Sequence, residues 1–106
     1  MLVAQGKLTE ALNAYRENLA ISERMAELDP SDAGGQREWA MAHGQVGDVL
    51  RMQGDLTGAE REYSNSSSIL RRLVNRDPSH AVWQRDLSVA HNQVGGVLEA
   101  RTSSVP

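Results

Sequence analysis

His43 and His91 stand 48 residues apart, and their surroundings repeat with them: Ala42, Gln45, Val46 and Gly47 return as Ala90, Gln93, Val94 and Gly95. A pair of imidazoles suggests metal ligation or proton transfer. Neither chemistry is completed here. The chain has no cysteine, no carboxylate fills out a ligand set, and equivalent residues of stacked helices lie about 10 Å apart. The expectation is that both histidines are inward structural residues, each bonded to a backbone carbonyl or a hydroxyl. The arginines recur in the same register, Arg37 with Arg85 and Arg24 with Arg72, and Arg71, Arg72 and Arg76 cluster. Pairing with Glu38, Asp86, Asp29 and Asp77 is the expected role. A net charge of −3 disfavours a nucleic-acid surface, which shows a basic excess. No nucleophile with a base, paired acids or phosphate loop is evident, so no catalytic residue is assigned and no enzyme is expected.

The elements that carry these residues repeat as well. Gln36–Leu50 returns at Gln84–Leu98, and over residues 1–53 roughly two in five positions match the residue 48 later. Such a period means stacked units, none of which buries its apolar face alone. Leu8, Ala11, Leu12, Tyr15, Leu19, Ser22 and Met25 follow helical steps, so a first helix is expected over about 7–29. Asp29-Pro30 ends it, since proline removes a donor and pushes the preceding residue from the α region. Trp39, Ala42, His43, Val46, Val49 and Leu50 make the inward stripe of a second helix, about 35–53, capped by Ser31 or Asp32. Gly54 supplies a positive φ and Asp55 a cap, which turns the chain back on itself. The third helix, about 56–77, buries Leu56, Ala59, Tyr63, Ile69, Leu70 and Leu73. Ser64-Asn65-Ser66-Ser67-Ser68 should make it the softest. The fourth, about 80–101, turns Trp83, Leu87, Ala90, His91, Val94, Val97 and Leu98 inward, and 102–106 reads as a flexible tail.

These residues resemble the tetratricopeptide repeat family. Val46-Gly47, Leu50, Ala59 and Tyr63 match its spacing, as do Ala11 and Tyr15 before them and Val94-Gly95 and Leu98 after them. The repeat is 48 residues rather than the usual 34 or so, which lengthens each helix by about two turns. The resemblance implies an all-α fold of four helices, with antiparallel hairpins stacked as a right-handed α-solenoid in a single domain over 1–106. It makes Gly47, Gly95 and Ala59 close-approach residues and Tyr63 the filler beside them. It also implies a concave groove lined by the first helix of each repeat. Those positions are Met41, Gly44, Asp48, Arg51 and Met52, then Val89, Asn92, Gly96, Glu99 and Ala100. Of these, Met41, Gly44, Asp48, Arg51, Asn92 and Glu99 are the candidate peptide contacts. The implied function is a protein–protein interaction scaffold that holds a partner's peptide or helix, with no cofactor.

Apolar residues make up 40% of the 106, and the only aromatics are Tyr15, Tyr63, Trp39 and Trp83, so aliphatic side chains must build the core. No apolar run reaches the roughly 18–20 residues of a membrane span and no leader pattern opens the chain, so a cytoplasmic location without membrane partners is expected. Read as alternating first and second helices, the chain has an unpaired helix at each end. It therefore resembles a fragment of a longer array. Two unpaired apolar faces also give the alternative expectation, a self-assembling unit that forms a homodimer or higher oligomer.

Overall fold

The computed structural model describes residues 2–103. It is all-α: α1 (Leu2–Leu28), α2 (Ala33–Met52), α3 (Leu56–Arg76) and α4 (Ala81–Ser103). Residues 104–106, most of the expected tail, lie outside the described residues, while 102 and 103 belong to α4. No described helix is long and apolar enough to cross a membrane.

The helix ends follow from short polar residues. Asp32, in extended backbone, accepts the Gly34 N–H at 3.1 Å and caps α2. Asp55 accepts the Gly58 N–H at 2.9 Å and caps α3. Between α2 and α3, Gly54 has φ +85°, the only positive φ among the described residues. It lets the Asp55 N–H reach back to the Leu50 carbonyl at 2.8 Å. At the α3–α4 turn the Asp77 carboxylate accepts the Ser79 hydroxyl at 2.7 Å and its N–H at 3.2 Å. Those bonds hold Asp77 below the usual carboxylate range. At α4, His80 takes the position that Asp32 has at α2. Its Nδ1 accepts the Trp83 N–H at 3.3 Å and its ring stacks on the indole at 3.8 Å.

The first helix starts earlier than expected. Gln5-Gly6 repeats the Gln53-Gly54 turn, yet α1 runs through it from Leu2. Lys7 stands where Asp55 caps α3, so nothing stops the chain and starts it again. Instead the Thr9 hydroxyl bonds back to the Gln5 carbonyl at 3.0 Å, within a helix.

Each helix packs on the next in sequence. One core cluster joins Ala40, Ile69, Leu70, Leu73 and Ala90, flanked by Trp39, Trp83 and Leu87. The other joins Val46, Leu50, Ala59, Tyr63 and Val97, flanked by Leu12, Leu19, Leu56 and Val94. Both run through α3, which lies between α2 and α4. Burying a side chain such as Leu70 or Leu73 contributes about 1.5–3 kcal/mol, so α3 stabilises both clusters. Its serine run joins the core: Ser66 and Ser67 are buried, where a larger side chain would hold neighbouring helices apart.

The outer helices correct the expected stripes. Met25 is 60% exposed, Tyr15 37% and Leu98 44%, whereas their counterparts Leu73, Tyr63 and Leu50 are 1%, 1% and 5% exposed. The sequence pattern marks these positions as apolar, but among the described residues α1 and α4 each have a helix on one side only.

Candidate functional site

α2 and α4 face each other across a cleft of about 210 Å³ floored by α3. Met41, Gly44, Gln45 and Asp48 form the α2 wall, one turn after another; Asp86, Val89, Ala90 and Gln93 form the α4 wall; Ser66 and Leu70 close the bottom. Polar contacts fix both ends. At one end the Arg37 guanidinium reaches from α2 to Asp86 on α4, with nitrogen–oxygen distances of 2.6 and 3.3 Å. Its hydrogen bond to Asp86 holds Arg37 above its ordinary value. At the other end the Tyr63 hydroxyl donates to Asp48 Oδ1 at 2.5 Å. Burial, with the hydrogen bond to Asp48, pushes the Tyr63 phenol up to about 12.

Tyr63 is held there by Gly47. A Cβ built on Gly47 would stand 2.8 Å from the Tyr63 ring, so glycine is required for α2 and α3 to approach this closely. Ala59, fully buried beside it, is the small residue on the α3 side. Gly44 plays another part. A Cβ there would meet nothing within 4 Å, which leaves the cleft wall open over Leu70 and Ser66.

The cleft brings together Met41, Gly44, Asp48 and Val89 of the expected groove. Arg51 is exposed and lies across Gly96, its terminal nitrogens 3.5 Å from where a Cβ would be. Asn92 and Glu99 are exposed on α4 but do not line the cleft. Met52 turns away and lines a recess with Gln5, Leu8 and Thr9 of α1 and with Gln53 of the α2–α3 turn. The reason is geometric. Two equivalent helices side by side show opposite edges to the space between them, so one register mapped onto both finds most of the α2 wall and only Val89 of the α4 wall. Asp86, Ala90 and Gln93 were missed this way, although their 3- and 4-residue steps run through Val89 and were visible. Gln45 was missed as an edge residue, and Ser66 and Leu70 because they come from another helix.

The two histidines have different fates. His43 is largely buried, and its Nδ1 lies 2.6 Å from a Glu62 carboxylate oxygen, a carboxylate rather than the expected carbonyl or hydroxyl. His91 is exposed, contrary to the inward expectation. It lies 3.5 Å from the Ser67 hydroxyl and 3.3 Å from an Arg71 nitrogen. No helix among the described residues covers the face of α4 that corresponds to the His43 side of α2. Among the described residues no group of three or more metal-ligating side chains comes together.

A second recess, about 280 Å³, opens where the α1–α2 turn meets the C-terminal end of α3, lined by Ala26, Pro30, Trp39, Ile69, Leu73, Arg72 and Arg76. Arg76 is engaged there, donating to the Ser31 carbonyl at 2.9 Å. The buried Trp39 Nε1 finds no hydrogen-bond partner among the described residues.

No protein-family model, curated protein or solved structure matches this chain.

Proposed function

We propose that the chain is a non-catalytic, tetratricopeptide-like scaffold that holds an extended peptide in the α2–α4 cleft. Three features support the repeat reading. The Gly47–Tyr63 contact has the register of the family motif. Arg37 and Asp86 join the two helices that begin each repeat. The body measures 43 × 30 × 17 Å, thin enough for two layers of helices about 8–10 Å apart.

The cleft itself carries the functional reading. At about 210 Å³ it is smaller than the roughly 300–1,000 Å³ of small-molecule sites, and it suits one apolar side chain. Met41, Val89, Ala90 and Leu70 would surround that anchor, and the Gln45 and Gln93 amides would bond the peptide backbone beside it. Asp86 at one end is already paired with Arg37, whereas Asp48 at the other meets only the neutral Tyr63 hydroxyl, so a basic residue on the Asp48 side of the anchor is preferred to an acidic one.

Fluorescence anisotropy with short peptides that pair an aliphatic residue with lysine or arginine tests this reading. Val89 is half exposed, so Val89→Asp should leave the fold intact. It should weaken binding by tenfold or more, equivalent to losing about 1.5 kcal/mol of apolar contact. Gln93→Ala should weaken it less. Failure to bind any such peptide, or binding that survives Val89→Asp, defeats the proposal.

A further inference from the structure

The chain contains both halves of one interface twice, and among the described residues only one pair of halves is joined. Gly47 and Leu50 of α2 receive Tyr63 of α3, with Ile69 and Leu73 packed further along; Tyr63, Ile69 and Leu73 are at most 3% exposed. Forty-eight residues earlier α1 carries Tyr15, Ile21 and Met25 in the same register. These are 37%, 64% and 60% exposed. Forty-eight residues after Gly47 and Leu50, α4 carries Gly95 and Leu98. Leu98 is 44% exposed, and among the described residues a Cβ on Gly95 would meet nothing within 4 Å. The α1 face is thus the sequence counterpart of what α2 binds, and the α4 face is the counterpart of what α3 binds.

From this we infer that the α4 face of one molecule takes the α1 face of a second copy of this chain, head to tail, in the geometry of the α2–α3 packing. Tyr15 lies over Gly95 of the next molecule as Tyr63 lies over Gly47. Ile21 and Met25 meet the Leu87 region, the counterpart of Trp39. The polar part of the internal junction is not repeated: Ala14 stands where Glu62 meets His43, and Gly96 where Asp48 meets Tyr63. The contact between copies is therefore mainly apolar, with Glu99 in the place that Arg51 has beside the tyrosine, and only weakly dependent on salt. It joins two different surfaces, so each added molecule offers a fresh face unless a ring closes. The inference does not depend on peptide binding in the cleft.

Sedimentation velocity across a broad concentration series tests it. The mass of the native chain should rise with concentration and change little with added salt. Gly95→Leu puts a side chain into open space, so helical circular dichroism should be retained. It should raise the dissociation constant about thirtyfold or more, and so should Tyr15→Ala. Each variant keeps one intact face. Mixing the two should restore a single junction and give a 1:1 dimer, while either alone stays monomeric. Val89→Asp, in the cleft, should leave association unchanged. A mass that stays monomeric at every concentration overturns the inference, as does association that survives both substitutions or a mixture that stays monomeric.

Discussion

α2 and α4 are near copies of one helix with opposite surroundings. On α2, Gly47 is covered by the Tyr63 ring, His43 is paired with Glu62, and Leu50 is buried. On α4, Gly95 faces open space among the described residues, His91 is at the surface, and Leu98 is nearly half exposed. α3 and α1 differ in the same way, with Tyr63 and Leu73 inside and Tyr15 and Met25 outside. Residue type alone therefore does not set burial in a repeat. A side chain is buried when a neighbouring helix covers its face, and among the described residues only the inner junction has both neighbours in place.

Matched substitutions at equivalent positions can break this comparison. The largest single loss is expected for Leu73→Ala, set against Met25→Ala. Removing the buried leucine should cost about 3 kcal/mol, through lost apolar contact and the cavity left behind. The exposed methionine should change stability by less than about 0.5 kcal/mol in dilute solution. Guanidinium titration of both variants measures this, and equal losses would show that α1 is covered in solution. Next come the two glycines. Gly47→Ala forces the hydrogen-bonded Tyr63 ring to move and should cost about 2 kcal/mol. Gly95→Ala has room and adds helix propensity, so it should gain up to about 1 kcal/mol in the dilute monomer. Thermal melts at low concentration should therefore move in opposite directions.

The smallest effect separates the tyrosines. Tyr63→Phe loses a hydrogen bond to a carboxylate and should cost about 1.5 kcal/mol, whereas Tyr15→Phe should be neutral. Tyr63 also carries a pH signature. Its phenol is raised from 10.0 to about 12 in the folded protein, so its contribution is complete below about pH 10 and lost as pH rises toward 12. Native protein should lose more stability over that range than Tyr63→Phe, as read from denaturation curves at stepped alkaline pH. Parallel loss in the two would show that burial and the bond to Asp48 do not hold the phenol protonated.

Much of the architecture was legible in the residues. Helical spacing with the Asp-Pro stops at 29–30 and 77–78 marked four helices. Gly54 with Asp55 marked the tight turn, and Asp32 marked a cap. The start of α1 was misread because Gln5-Gly6 copies a turn whose decisive residue is the aspartate after it, and Lys7 cannot cap. The cleft was half legible. Its α2 wall followed from register, but its α4 wall is the opposite edge of a similar helix, and its floor belongs to a third helix distant in sequence.

The sequence by itself determined the local terms: helix periodicity, caps, the glycine at the turn, and the small residues that permit close approach. These depend on a residue and its neighbours within a turn or two. Only the tertiary structure decided which copy of each repeated residue is buried and which edges meet across the cleft. The same separation appears in whether a histidine finds a carboxylate or a surface arginine. Those outcomes depend on a second helix being present at about 10 Å, and a residue repeated every 48 positions carries no record of whether that helix is there.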